Sequence, residues 1–126
     1  MIILNKQITN EVNLSCGMNK DNEYWIIFTE RGDYSSLNIH LINYKERTKK
    51  ESYVSMEIWY DEGFRSSNSP QLYKTIRNIF KDYSDYSDFD SVFKTYILTD
   101  LNNDEFGEFV EMLFNSVEEC CEELFK

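Results

Sequence analysis

A chain of 126 residues with a formal net charge of −10, 41% apolar and 16% aromatic, carries enough hydrophobic material for one domain with its own core and too much to sit among disordered sequences. Residues 1–81 hold 11 Lys+Arg against 10 Asp+Glu, whereas residues 82–126 hold 2 against 13, so the acidity belongs to the C-terminal third. That asymmetry disfavours direct binding to nucleic acid or an anionic membrane, whose phosphates demand Lys and Arg, and favours a cationic partner; a solvated face that keeps a small protein soluble is the alternative reading of the same charge.

No basic leader with an apolar run and a small-residue cleavage site opens the sequence, and no stretch approaches 18 consecutive apolar residues, so a cytoplasmic protein is expected. Cys16, Cys120 and Cys121 form no C-x-x-C pair. They read as reduced thiols serving as small apolar groups, with an acidic neighbourhood that disfavours thiolate at the last two.

In chain order, Met1 to Leu4, VNLSC (12–16) and EYWIIFTE (23–30) read as strands, the last two joined by the turn-rich GMNKDN. A turn at Gly32 leads to SSLNIHLINY (35–44), in which Leu37, Ile39 and Leu41 share one face and Asn38 and His40 the other. After a charged loop, SYVSMEIWYD (52–61) places Val54, Met56, Ile58 and Tyr60 opposite Tyr53, Ser55, Glu57 and Trp59. This is the pattern of an antiparallel meander with one face packed and one partly wet. Past Gly63 the period becomes helical: Ser69 and Pro70 suit an N-cap and first turn, and Leu72, Ile76, Ile79, Phe80 and Tyr83 form a stripe, predicting a helix over 70–83. VFKTYILT (92–99) is compatible with both periods; its β-branched and aromatic content favours a strand.

The pattern from Asn102 to Phe125 is the clearest in the chain. Counted at 100° per residue from Glu105, the residues Phe106, Phe109, Val110, Leu113, Phe114, Val117, Cys120, Cys121, Leu124 and Phe125 lie at roughly 40° to 200°, and Glu108, Glu111, Glu118, Glu119 and Glu122 at roughly 220° to 320°. Asn102 and Glu105 have capping-box spacing. Four glutamates, Glu118, Glu119, Glu122 and Glu123, crowd the negative end of the helix dipole, where they oppose stability and so invite another explanation.

KDYSDYSDFD (81–90) interleaves Asp82, Asp85, Asp88 and Asp90 with Tyr83, Tyr86 and Phe89. Acid to steer a basic partner and rings to hold it is one reading; turn-forming Asp residues beside rings that cover a sheet edge is the other. DLNNDEFGEFVE (100–111) matches positions 1, 3, 5 and 12 of a calcium-binding EF-hand loop with Asp100, Asn102, Asp104 and Glu111, but position 6, where Gly is needed, holds Glu105. Ordinary helix capping explains the same residues. His40 is the sole histidine and falls mid-strand, which suits a hydrogen bond to a neighbour such as Asn38 better than catalysis. RGD at 31–33 suits a hairpin turn.

The expected architecture is α+β, a single domain over 1–126: a four- to five-stranded, mainly antiparallel meander with two helices on one face, the second long and C-terminal. The expected function is a non-enzymatic acidic inhibitor of a basic protein, foremost an immunity protein against a toxic nuclease. The alternatives are a phage-encoded anti-defence protein that mimics nucleic acid, and a calcium-binding or assembly module that docks through the apolar side of the last helix. The expected partner-binding residues are Asp82, Asp85, Tyr86, Asp88, Phe89, Asp90, Glu108, Glu111, Glu118, Glu119 and Glu122, sharing one outward patch; no catalytic residue, metal or cofactor is assigned.

Overall fold

The computed structural model describes residues 2–30, 35–44, 52–60, 69–79, 86–88 and 92–126. Five strands run as a meander: β1 (Ile2–Gln7), β2 (Val12–Met18), β3 (Tyr24–Glu30), β4 (Ser35–Tyr44) and β5 (Tyr53–Tyr60). Helix α1 (Ser69–Ile79) follows, then a short strand β6 (Tyr86–Asp88), β7 (Val92–Leu98) and the long helix α2 (Asn103–Phe125). The architecture is α+β, as the alternating and helical periods require. Two strands extend the meander: the sheet has seven strands in the order β1-β2-β3-β4-β5-β7-β6, every neighbouring pair antiparallel. The 92–98 segment is a strand, and it enters between β5 and β6 rather than at the edge.

The turns follow local side-chain chemistry. Between β2 and β3 the Asn19 Oδ1 accepts from the amides of Asp21 at 2.9 Å and Glu23 at 3.0 Å, and Asn22 supplies the left-handed residue at φ 58°. Between β1 and β2 the Thr9 hydroxyl accepts from the amides of Glu11 and Val12. The Gly32 and Gly63 turns, the 45–51 loop and the expected end of α1 at Tyr83 lie outside the described residues.

Register builds the core. Cys16 pairs with Ile26, Ile26 with Ile39 and Ile39 with Ile58, so one row of every strand from β2 to β5 faces the same way. Leu14, Cys16, Ile26, Phe28, Leu37, Ile39, Leu41, Val54, Met56 and Ile58 are all fully buried on that face. The helices cover it with Leu72, Tyr73 and Ile76 from α1 and Phe106, Val110, Leu113, Phe114, Val117 and Cys121 from α2. Strand β3 holds α2 near both ends, Tyr24 edge-on to Phe106 at 5.2 Å and Phe28 stacked with Phe125 at 5.3 Å. The Asn43 side-chain amide donates to the Leu101 carbonyl at 2.9 Å, tying β4 to the chain just before α2. Among the described residues no helix is long and apolar enough to cross a membrane.

The cysteines behave as core groups. Burial pushes the Cys16 thiol up to about 11 and the Cys121 thiol up to about 12, with the neighbouring Cys120, Glu122 and Glu118 adding to the latter. At Cys120 burial is again the first cause and Glu123 and Glu119 the next. Desolvation, more than the acidic surroundings, suppresses thiolate here.

Candidate functional site: the outer face of the C-terminal helix

Helix α2 is built to start sharply. The Asn102 Oδ1 accepts from the Glu105 amide at 2.8 Å while the Glu105 carboxylate accepts from the Asn102 amide at 3.0 Å, a reciprocal capping box. Residues 103–111 are therefore helical, and Asp100, Asn102, Asp104 and Glu111 do not wrap around a common centre as an EF-hand loop must. At the other end the Lys126 amide donates to the Glu122 carbonyl and its ammonium sits 2.9 Å from the Glu122 carboxylate.

With the apolar stripe buried, the carboxylates of α2 point outward. Asp104, Glu105, Glu108, Glu111, Glu119 and Glu123 are exposed, and Glu118 and Glu122 half-buried. Among the described residues two of these carboxylates meet a cation: Glu122 with Lys126, and Glu118 with Lys6 of β1 at 3.8 Å. Both are surface pairs, each contributing roughly 0 to 1 kcal/mol. One apolar side chain interrupts the acid: Met112, 59% exposed, at roughly 340° on the helical wheel, flanked by Glu108 and Glu119 on one side and Glu105 and Glu123 on the other. Sequence reasoning left Met112 out of both the core and the site; its offset from the apolar stripe was the available signal.

The flank of α2 that faces β1 carries Asp104, Glu111 and Glu118 at successive seven-residue steps. Between its first half and β1 runs an open groove of about 560 Å³, lined by Ile3, Leu4, Tyr24, Gly107, Val110 and the carboxylates Asp104, Glu108 and Glu111, with Asn103 at its end. β1 is an edge strand whose register with β2 shifts between Ile2 and Leu4, leaving Ile3 40% exposed.

The expected patch divides in two. Glu108, Glu111, Glu118, Glu119 and Glu122 share the outer face of α2. Tyr86 and Asp88 fall in β6, the edge strand opposite β1, while Asp82, Asp85, Phe89 and Asp90 lie outside the described residues. Six strand spacings separate β1 from β6, about 29 Å at 4.8 Å each, so Tyr86 and Asp88 belong to the sheet edge opposite β1. The reason is topological: the 92–98 strand inserts inside β6 and drives it to the far edge.

The other sheet face holds a smaller cluster. Trp25 stacks on His40 with centroids 4.6 Å apart and planes 7° from parallel, and the His40 Nε2 lies 3.4 Å from the Glu23 carboxylate. Asn19 Nδ2 donates to the same carboxylate at 3.2 Å. His40 thus partners across strands, not with Asn38 along its own strand, because same-face neighbours on a strand stand about 6.6 Å apart while cross-strand pairs lie closer.

Comparison with protein-family models, with curated proteins and with solved structures finds no match for the chain.

Proposed function

We propose that the chain is a non-enzymatic acidic binding protein that neutralises a basic protein, as an immunity protein does to a toxic nuclease, and that the outer face of α2 is its contact surface. The observation that carries the reading is the run of exposed carboxylates along α2, Glu108, Glu111, Glu119 and Glu123, which meet no cation among the described residues and are interrupted by the exposed Met112. Such a field speeds encounter with a cationic partner, and an exposed methionine ringed by charge gives that encounter an apolar anchor. A phosphate mimic aimed at a nucleic-acid cleft needs charge alone; the combination of charge with the exposed Met112 and with the partly apolar groove beside β1 favours a shaped protein interface. Docking of an assembly partner through the apolar stripe of α2 finds no support, because Phe106, Val110, Leu113, Phe114, Val117 and Cys121 are already buried against the chain's own sheet and α1.

The test is co-expression with the product of the adjacent gene, followed by measurement of that protein's nuclease activity and of association rate against salt. The reading expects loss of nuclease activity and an association rate falling by about 10- to 100-fold between 20 and 500 mM NaCl. Nuclease activity unaffected by a stoichiometric excess of this protein sinks it.

A further inference from the structure

The groove between β1 and the first half of α2 has an internal precedent one step along the same flank. At Glu118 the carboxylate row of α2 is answered by a cation from β1, the Lys6 ammonium at 3.8 Å. Two turns earlier Glu111, and with it Glu108 and Asp104, lines a cleft whose β1 side offers Ile3 and Leu4 in place of a lysine. The three carboxylates, at i, i+4 and i+7, fall on one side of the helix within about 10 Å along its axis and line the groove together with Ile3 and Leu4.

Gly107 adds depth. A β-carbon there would meet the Tyr24 hydroxyl at 3.6 Å, an ordinary contact, so nothing within the fold requires the missing side chain. Glycine at an interior helix position weakens the helix relative to alanine. What its absence of side chain does is open the groove floor between Tyr24 and Val110.

We propose that this groove receives a single cationic side chain, arginine or lysine, presented beside an apolar residue on the surface of the protein partner, with the cation among Asp104, Glu108 and Glu111 and the apolar neighbour on Ile3 and Leu4. The proposal rests on the reading of the chain as a binder of basic proteins and names where specificity enters it. A planar guanidinium suits two of the three carboxylates at once, which makes arginine the better occupant. The register shift in the β1–β2 ladder between Ile2 and Leu4 makes this edge strand irregular and a poor template for strand addition, so the occupant binds by its side chains and not as a further strand.

The experiment is an amide NMR titration of the full-length protein with N-acetyl-Leu-Arg-Leu-amide and with the same peptide carrying citrulline, which keeps the shape and removes the charge. The expected result is saturable shifts at Ile3, Leu4, Gly107, Glu108 and Glu111 for the arginine peptide, at least fivefold weaker binding for citrulline, and the same loss for the arginine peptide on Glu108→Gln with Glu111→Gln. The charge-matched control variant, Glu11→Gln with Asp21→Asn, exposed positions outside α2 and the groove, binds as the parent does. No saturable shift at 10 mM peptide, equal binding of both peptides, or equal losses in the two double variants overturns the groove assignment. Failure here with salt-sensitive neutralisation of the nuclease intact removes the groove and leaves the proposed function standing; loss of neutralisation itself removes the function.

Discussion

Asn102 shows how much one side chain decides. Its side-chain oxygen accepts from the Glu105 amide while its own backbone amide donates to the Glu105 carboxylate, so Asn102→Ala removes the first bond, strands the Glu105 N–H and is expected to lower stability by about 1 kcal/mol in urea unfolding. Gly107→Ala goes the other way: among the described residues the added methyl meets the Tyr24 hydroxyl at 3.6 Å, an ordinary contact, and the helix gains about 0.5 to 1 kcal/mol. A loss on Gly107→Ala would show that the room beside Tyr24 is needed by the fold. The buried thiols set a second expectation. Their folded pKa values, about 11 for Cys16 and about 12 for Cys121, lie above the ordinary value of 9.0, so the folded protein holds these protons longer than the unfolded chain. Stability is therefore intact below pH 9 and falls as pH rises toward 11 to 12, by at most about 1.4 kcal/mol per pH unit for each thiol. Urea unfolding at pH 8, 9.5 and 10.5, on the parent and on Cys16→Ala, measures it; the variant, though weaker at pH 8, has the shallower slope. The cap and the core thiols were legible in the sequence because each depends on immediate neighbours. The partners of His40 were not, since Trp25 comes from the neighbouring strand and Glu23 from the turn just before it, and only register brings them together.

At the level of elements, strict periods carried furthest. Alternation in 37–41 and 54–58 buries the face it marks, because a one-residue slip would turn that whole face to water, and the apolar stripe of α2 packs on the same core with six of its ten residues buried and four half-buried. The 92–98 segment fits both periods, and what makes it a strand is pairing with β5 from Tyr53↔Leu98 to Trp59↔Val92, a partner almost forty residues away. Met112 was missed for a related reason: an apolar residue outside the stripe has no periodic signature, and its meaning comes from the carboxylates that the helix sets around it. The C-terminal turns of α2 make a prediction of their own. Glu119 and Glu123 are exposed, four residues apart, and sit near the negative end of the helix dipole. Reversing both to lysine is expected to raise stability by roughly 0.3 to 1 kcal/mol each in thermal or urea unfolding, since the dipole term changes sign while their mutual repulsion is unchanged.

Over the whole molecule, placing both helices on one sheet face leaves Trp25, Ile27, His40, Ile42 and Glu57 half-buried on the other, and sets the acidic outer face of α2 along the β1 edge. β6 lies at the opposite edge, which no local pattern announced: strand order depends on which segment wins the place beside β5. The central claim is that α2 keeps its exposed glutamates for a positively charged partner at some expense to its own stability. Glu119→Lys with Glu123→Lys, compared with the parent for affinity to the nuclease and for urea unfolding, tests both halves together. The account predicts affinity reduced by about tenfold or more alongside a more stable fold; unchanged affinity, or a fold weakened by the reversal, contradicts it.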